Sequence, residues 1–298
     1  MELLEVLWIG LSIAIWAFVG FSLKMQYRYA TRLADMLPAY LLLPIAAEFA
    51  FLVGTIPWLL QLQFVVTLVI VLSSIFVTCI LIIKAIEWYS DYRTSNLKRF
   101  LAGIKTDQFS IRSFEDYISG NLDDTRVNII IRHDVDISLD RTKKIAEMEN
   151  AHGISSTFFF RLHAERYSFE EAIPVIRKLA DDGFRIGLHY ETLGVTKGNL
   201  EGAVELLETE IEELRKVVPV SVVAAHGQKQ FKNRTIWEYV DKAKTRVSSA
   251  YDMKYDMYLS DAGGKSLRDK TGKYLFERVY EAKPGQVVQV LIHPDWWY

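Results

Sequence analysis

Between residues 131 and 136 an apolar run breaks into Arg132-His133-Asp134-Val135-Asp136, four ionisable side chains within five positions. Three other apolar runs end in a similar way. One closes as Gly187-Leu188-His189-Tyr190-Glu191, one as Ala224-Ala225-His226-Gly227, and the last as Leu291-Ile292-His293-Pro294-Asp295. A lone histidine is usually a structural residue, but four such endings converging on one place have a direct use. Asp and His supply the oxygen and nitrogen donors that suit Zn²⁺ or a similar divalent ion, and a hydrolytic site leaves one coordination position open for water. A bound ion lowers the pKa of that water to about 7 in favourable cases, so a second carboxylate must accept its proton. Asp134 and Asp136 are two apart, on one face of a strand, and can divide those tasks. His152 and His163 follow no such run and read as surface or structural residues.

The elements that would deliver these residues alternate. Short β-branched runs at Val127–Arg132, Ser155–Phe160, Phe184–His189, Val220–Ala225, Arg246–Ala250 and Val287–His293 read as strands, with a weaker one near Leu275–Val279. Amphipathic stretches at Ser138–Asn150, Phe169–Asp181, Asn199–Val217 and Thr235–Lys244 read as helices, with Gly153 and Gly183 as stops after two of them. Strand–helix alternation predicts an α/β fold with a parallel sheet, here a distorted (β/α) barrel of about seven strands. In such folds the chemistry gathers at the carboxyl ends of the strands, where all four endings fall.

From about Arg126 to Tyr298 these motifs resemble the polysaccharide deacetylases, carbohydrate esterase family 4, whose catalytic unit is the NodB-homology domain. The resemblance implies a metal-dependent hydrolase that removes an N-acyl group, typically N-acetyl, from a carbohydrate. Asp134 then corresponds to the catalytic base, Asp136 to the metal-binding aspartate, His189 to the first metal histidine, and Leu291-Ile292-His293 to a late motif with His293 as general acid. Asp134-Val135-Asp136 is similar to an Asp-x-Asp variant of the first motif. The family's second metal histidine falls at Leu193, so the metal site is incomplete as matched. Either His226 completes it, the favoured choice, or His133 swings in, or metal binding is weakened or lost. The last option leaves an alternative function, an inactive deacetylase-like domain that binds glycan or a lipid carrier. The family's arginine-proline motif is absent, with Ala225-His226-Gly227 standing roughly in its place. The turn Ser260-Asp261-Ala262-Gly263-Gly264 reads first as an ordinary capped loop and second as a way to bring Asp261 to the site. Trp296, Trp297 and Tyr298 are equally suited to stacking on a sugar and to packing on the barrel.

The first 90 residues have another character. Apolar stretches at about Leu3–Leu23, Leu37–Leu60 and Phe64–Ile86 each approach the roughly 20 residues needed to cross hydrocarbon as a helix. Three spans are expected, with Glu48 as the single charge inside the second and Gln61–Gln63 as a tight turn before the third. Lys24, Arg28 and Arg32 lie in the first loop, and Lys84, Arg93, Lys98, Arg99 and Lys105 follow the third span. Retention of basic loops on the cytoplasmic side would put the N-terminus outside and the large domain inside. The expected organisation is thus a transmembrane segment over 1–90, a basic linker over 91–125 and a catalytic domain over 126–298. Within the linker, Leu97, Phe100, Leu101 and Ile104 have helical spacing, which suits a helix lying on the membrane or one packed on the domain. The formal charge of −2 and the lack of a long basic block argue against a nucleic-acid partner. Cys79 is the single cysteine, which excludes a disulfide framework and a thiolate metal site. A cytoplasmic domain tethered to a bilayer would meet lipid-linked sugars in preference to exported polysaccharide.

Overall fold

The computed structural model describes residues 60–269 and 271–298. The chain divides into two units, Met1–Trp88 and Tyr89–Tyr298. In the first, the described part is helical: α1 runs from Leu60 to Asp91, whose last residues belong to the second unit. Its apolar side chains Leu72, Ile75, Phe76, Ile80, Ile83 and Ile86 are exposed. Among the described residues it is the one helix long and apolar enough to cross a membrane. The expected span Phe64–Ile86 lies within it, and Gln61–Gln63, expected in a turn, is helical. The other two spans, apart from Leu60, and Glu48 lie outside the described residues.

The second unit is a curled parallel sheet with helices against it. Its strands are β1 (Phe109–Ile111), β2 (Val127–Val135), β3 (Thr157–Phe160), β4 (Arg185–Tyr190), β5 (Val222–Ala225), β6 (Ser248–Ser249), β7 (Met257–Ser260) and β8 (Val287–Ile292). They are ordered β6-β5-β4-β3-β2-β8-β7, with β1 also paired to β2, and every pairing is parallel. Pairing between β6 and β7 is not seen among the described residues, so the barrel is open there. All nine residues of β2 are buried, as expected for a central parallel strand covered on both faces, its polar Asn128, Arg132, His133 and Asp134 included.

The principal helices are α2 (Thr94–Gly103), α3 (Phe114–Ile118), α4 (Leu139–Ala151), α5 (Phe169–Asp181), α6 (Thr192–Val195), α7 (Leu200–Arg215) and α8 (Lys242–Thr245). Their starts are encoded locally. Ser138 accepts a hydrogen bond from the Arg141 backbone, and Ser168 and Glu171 form a reciprocal capping box. Gly153 and Gly183 follow α4 and α5 with φ of 62° and 90°, the left-handed conformation that ends a helix at little cost to glycine.

Several expectations are corrected. Leu275–Val279 is not a strand but part of a 3₁₀ helix, Leu275–Glu281. Its buried residues, Phe276 and Val279, are three apart, whereas a strand would bury alternate positions. The helix expected over Thr235–Lys244 is a 3₁₀ segment, Asn233–Tyr239, then an extended Val240 and the short α8, which Asp241 caps. β1 and β7 were not foreseen. Of the two settings open to the 97–104 helix, the one seen is packing on the domain: Leu97, Phe100 and Leu101 of α2 and Ile104 just after it are buried, and β1 extends the sheet.

Candidate metal centre and catalytic site

Parallel pairing carries the carboxyl ends of β2, β4, β5, β7 and β8 to one rim. Register then decides which side chains meet. Arg132 pairs with Leu291, which brings Asp134 and Asp136 alongside His293, and His189 pairs with Ala224, which sets His226 beside it. Alternation along β2 turns Arg132, Asp134 and Asp136 to the barrel interior and His133 to the helical layer. There the His133 ring stacks on Phe158, with its Nε2 2.8 Å from Glu149 Oε1. His133 is therefore committed elsewhere and does not join the cluster.

Asp136, His189 and His226 each offer a ligand atom, and these atoms lie within 4.8 Å of one another. Nε2 of His189 is 3.5 Å and Nε2 of His226 3.8 Å from Asp136 Oδ1. That oxygen is buried without a hydrogen-bond partner. Both imidazoles use the other nitrogen as donor: His189 Nδ1–H to the Ala224 carbonyl at 3.0 Å, His226 Nδ1–H to Glu191 Oε2 at 3.2 Å. The Nε2 lone pairs are thereby directed at the orphan carboxylate, as in a site where outer partners fix the ligating tautomer. Burial outweighs the pull of Asp134 and Asp136 and lowers His189 to about 4, so it is neutral and able to ligate near pH 7. An aspartate oxygen and two imidazole nitrogens fit a divalent ion such as Zn²⁺. Leu193 sits in α6 and has no donor to contribute, and His226, from the next strand end, stands in the cluster.

Asp134 lies next to this group, 3.4 Å from His189 Nε2. Burial alone would raise its carboxyl, but Arg132, with His189 and His293, holds it well below the usual carboxylate range. Arg132 is fully buried and grips Asp134 with two hydrogen bonds, 2.6 Å and 2.8 Å long. Its guanidinium lies over the rings of Phe159 and Tyr251. Phe159 can lie there because position 187 is glycine: a Cβ would come within 2.4 Å of the Phe159 ring and 2.9 Å of the Val222 carbonyl oxygen.

Also beside the cluster, His293 Nε2 is 4.0 Å from both Asp134 Oδ2 and Asp136 Oδ2. Its Nδ1 is 2.6 Å from Asp261 Oδ1, and its backbone N–H donates to both Asp261 oxygens. Burial would lower His293, yet Asp261 raises it to about 9. The loop reading of Asp261 as a simple cap is corrected. Its carboxylate also accepts from Trp297 Nε1 at 3.1 Å, and Trp297 is buried against Phe276 and Tyr92. Of the terminal aromatics, Trp297 thus packs on the barrel, while Trp296 lies beside His293 with ring centroids 6.5 Å apart. Asp295 accepts from the backbone N–H groups of Ile137 and Ser138 and so ties the β8 end to the loop after Asp136. Arg161, Glu191 and Asp261 are the site residues whose partnerships the sequence did not reveal. His152 packs its Nδ1 on the Met148 carbonyl and His163 pairs with Glu210, both outside the cluster.

Fold and site together define an open parallel (β/α) barrel with an Asp/His metal-type cluster at the carboxyl rim. No protein-family model and no curated protein matches the sequence. Among solved structures, a family 4 carbohydrate esterase from Bacillus anthracis is similar at 20% identity, covering 59% of this chain and 75% of that one, with a TM-score of 0.36. A family 4 pseudoenzyme, also from Bacillus anthracis, gives 15%, 56%, 54% and 0.37 for the same quantities. The chitin deacetylase of the fungal pathogen Colletotrichum lindemuthianum gives 12%, 57%, 74% and 0.40. At this level of likeness only the chain's own residues speak to its chemistry.

Proposed function

We propose that the second unit is a metal-dependent deacetylase that hydrolyses an N-acyl, most simply N-acetyl, amide on an amino sugar, in a chain anchored in a membrane by its N-terminal segment. The observation that carries this reading is the gathering of Asp134 and His293, 4.0 Å apart, beside the Asp136, His189 and His226 cluster. Asp136, His189 and His226 would hold a divalent ion, which when bound acidifies water and polarises the acyl carbonyl. Asp134, kept ionised by Arg132, accepts the proton of the water whose oxygen attacks the acyl carbon. His293, held protonated by Asp261, donates from Nε2 to the departing nitrogen as the C–N bond breaks. A carboxylic acid and a free amine result. The basic loops flanking the apolar stretches favour a cytoplasmic domain, and a tethered cytoplasmic enzyme would act on a lipid-linked amino sugar.

The test uses the full-length chain in detergent, supplied with Zn²⁺ or Co²⁺ and with soluble or lipid-linked N-acetylated sugars. Acetate release that disappears in Asp134→Asn and His293→Ala is the expected result. Absence of release from any of these substrates in a metal-loaded preparation would favour the rival reading suggested by Leu193, a glycan-binding domain without turnover.

A further inference from the structure

Two buried charged residues at the rim play no part in the proton transfers above. Arg161 follows β3 and Glu191 follows β4, and each is 3% exposed. The guanidinium holds Glu191 through two hydrogen bonds, Nε to Oε1 at 2.8 Å and Nη2 to Oε2 at 2.6 Å. Glu191 Oε2 in turn accepts from His226 Nδ1 and from Gln228 Nε2, the latter at 3.0 Å. On its other side, Arg161 Nη1 reaches the backbone carbonyl of Asp136 at 3.4 Å. The Arg161 backbone is itself strapped to β2, since its N–H donates to the Tyr167 hydroxyl, which donates to the Val135 carbonyl at 2.7 Å. Exposed Glu165 caps the outer face of the guanidinium.

The pair therefore touches two of the three cluster residues at once, Asp136 through its main chain and His226 through its ring. His226 needs such support. It lies just beyond the end of β5, in a segment without regular structure, where nothing in the strand itself sets its ring rotation. Planar bidentate pairing makes Glu191 a rigid acceptor, and a rigid acceptor at Nδ1 fixes both the tautomer and the ring plane.

We infer that Arg161 and Glu191 are a positioning pair that makes His226 a metal ligand, completing from a neighbouring strand end the site that Leu193 leaves short. This rests on the metal-dependent reading above. Both are almost fully buried and reach the cluster through Asp136 and His226, so their effect is on the affinity and geometry of the bound ion.

Full-length protein, stripped of metal and titrated with Co²⁺, gives both quantities from the visible ligand-field band. Wild type should bind one Co²⁺, and His226→Ala should lose tight binding. Glu191→Ala should bind roughly 10 to 100-fold more weakly, with a displaced band, as found when an outer-shell partner is removed. Glu191→Gln, which still offers an oxygen to Nδ1–H, should recover part of the loss. A folded Glu191→Ala protein with wild-type affinity and band, alongside a weakened His226→Ala, would overturn the inference and leave the metal site standing. Should Glu191→Ala fail to fold, Arg161→Lys takes its place, and an unchanged cobalt band there would have the same meaning. A wild-type chain that binds no Co²⁺ would instead bring down the hydrolase reading, and this inference with it.

Discussion

Asp261 holds His293 from two directions, its carboxylate receiving the backbone N–H at 2.9–3.0 Å and lying 2.6 Å from ring Nδ1. The main-chain bonds fix where the residue sits, and the side-chain bond fixes how its ring is turned. Nε2 is left facing Asp134 and Asp136. This is the arrangement a proton donor needs, because a general acid must be both protonated and aimed.

The pH dependence follows from that pair. His293 is raised to about 9, above its unfolded value of about 6.5. As a general acid it is active when protonated, so kcat/KM should fall as pH rises through about 9. Asp261→Asn should move that alkaline limb downward and lower the maximal rate. The same shift stabilises the fold fully below about pH 6.5, a contribution lost as pH rises towards 9. Rate profiles of the two proteins check the first point, and unfolding measured across that window checks the second.

Arg132 and Asp134 are mutually dependent. Arg132→Met should leave a buried carboxylate without its counter-ion, costing about 3–5 kcal/mol of stability. Asp134 should then titrate at higher pH and catalysis should fall. Denaturant unfolding of Arg132→Met and of Asp134→Asn checks the pairing: each strands a buried charge and should destabilise by a similar amount, and the double variant should lose less than the sum of the two.

Removing the proposed acid or base should cost about 10²–10⁴-fold in kcat. His293→Ala and Asp134→Asn are expected to retain cobalt binding, since neither is among the three cluster ligands. Loss of activity together with loss of metal in either variant would contradict the division of roles between the two groups.

Metal withdrawal should be visible in stability as well as activity. A chelator should abolish acetate release and lower Tm, and Zn²⁺ or Co²⁺ at 100 times its Kd should return about 2.7 kcal/mol. Calorimetric scans at several metal concentrations measure this directly. A Tm independent of metal would contradict tight binding by the folded state.

Gly187 tests the support beneath the site. An alanine there meets the Phe159 ring and the Val222 carbonyl, so Gly187→Ala should destabilise by about 1–3 kcal/mol. Because Phe159 lies beneath the Arg132 guanidinium, the variant should also reduce kcat. A fully stable and active Gly187→Ala protein would show that the neighbouring strands yield at no cost.

Local patterns made much of the fold legible. β2 announces itself by the β-branched residues Val127 and Ile129–Ile131, and α5 matches its expected bounds because Ser168 and Glu171 encode its start and Gly183 its end. β7 was invisible, since Met-Tyr-Leu-Ser is too short to display a period and becomes a strand by pairing with β8. The Leu275–Glu281 segment misled for a related reason: an apolar cluster shows that residues will be buried without showing the geometry in which they are buried.

Sequence alone determined the chemistry on offer: apolar runs that must become buried parallel strands, and Asp134, Asp136, His189, His226 and His293 placed where those strands end. It also marked the long apolar helix, because hydropathy and helical length are local properties. Tertiary structure decided the partnerships. It turned His133 away to Glu149 while Asp134 and Asp136 faced inward, brought Asp261 from a turn to His293, and joined Arg161 of one strand end to Glu191 of the next. The physical reason is register. Hydrogen-bond pairing between strands distant in sequence fixes which side chains become neighbours, and no local pattern within a single strand records its partner.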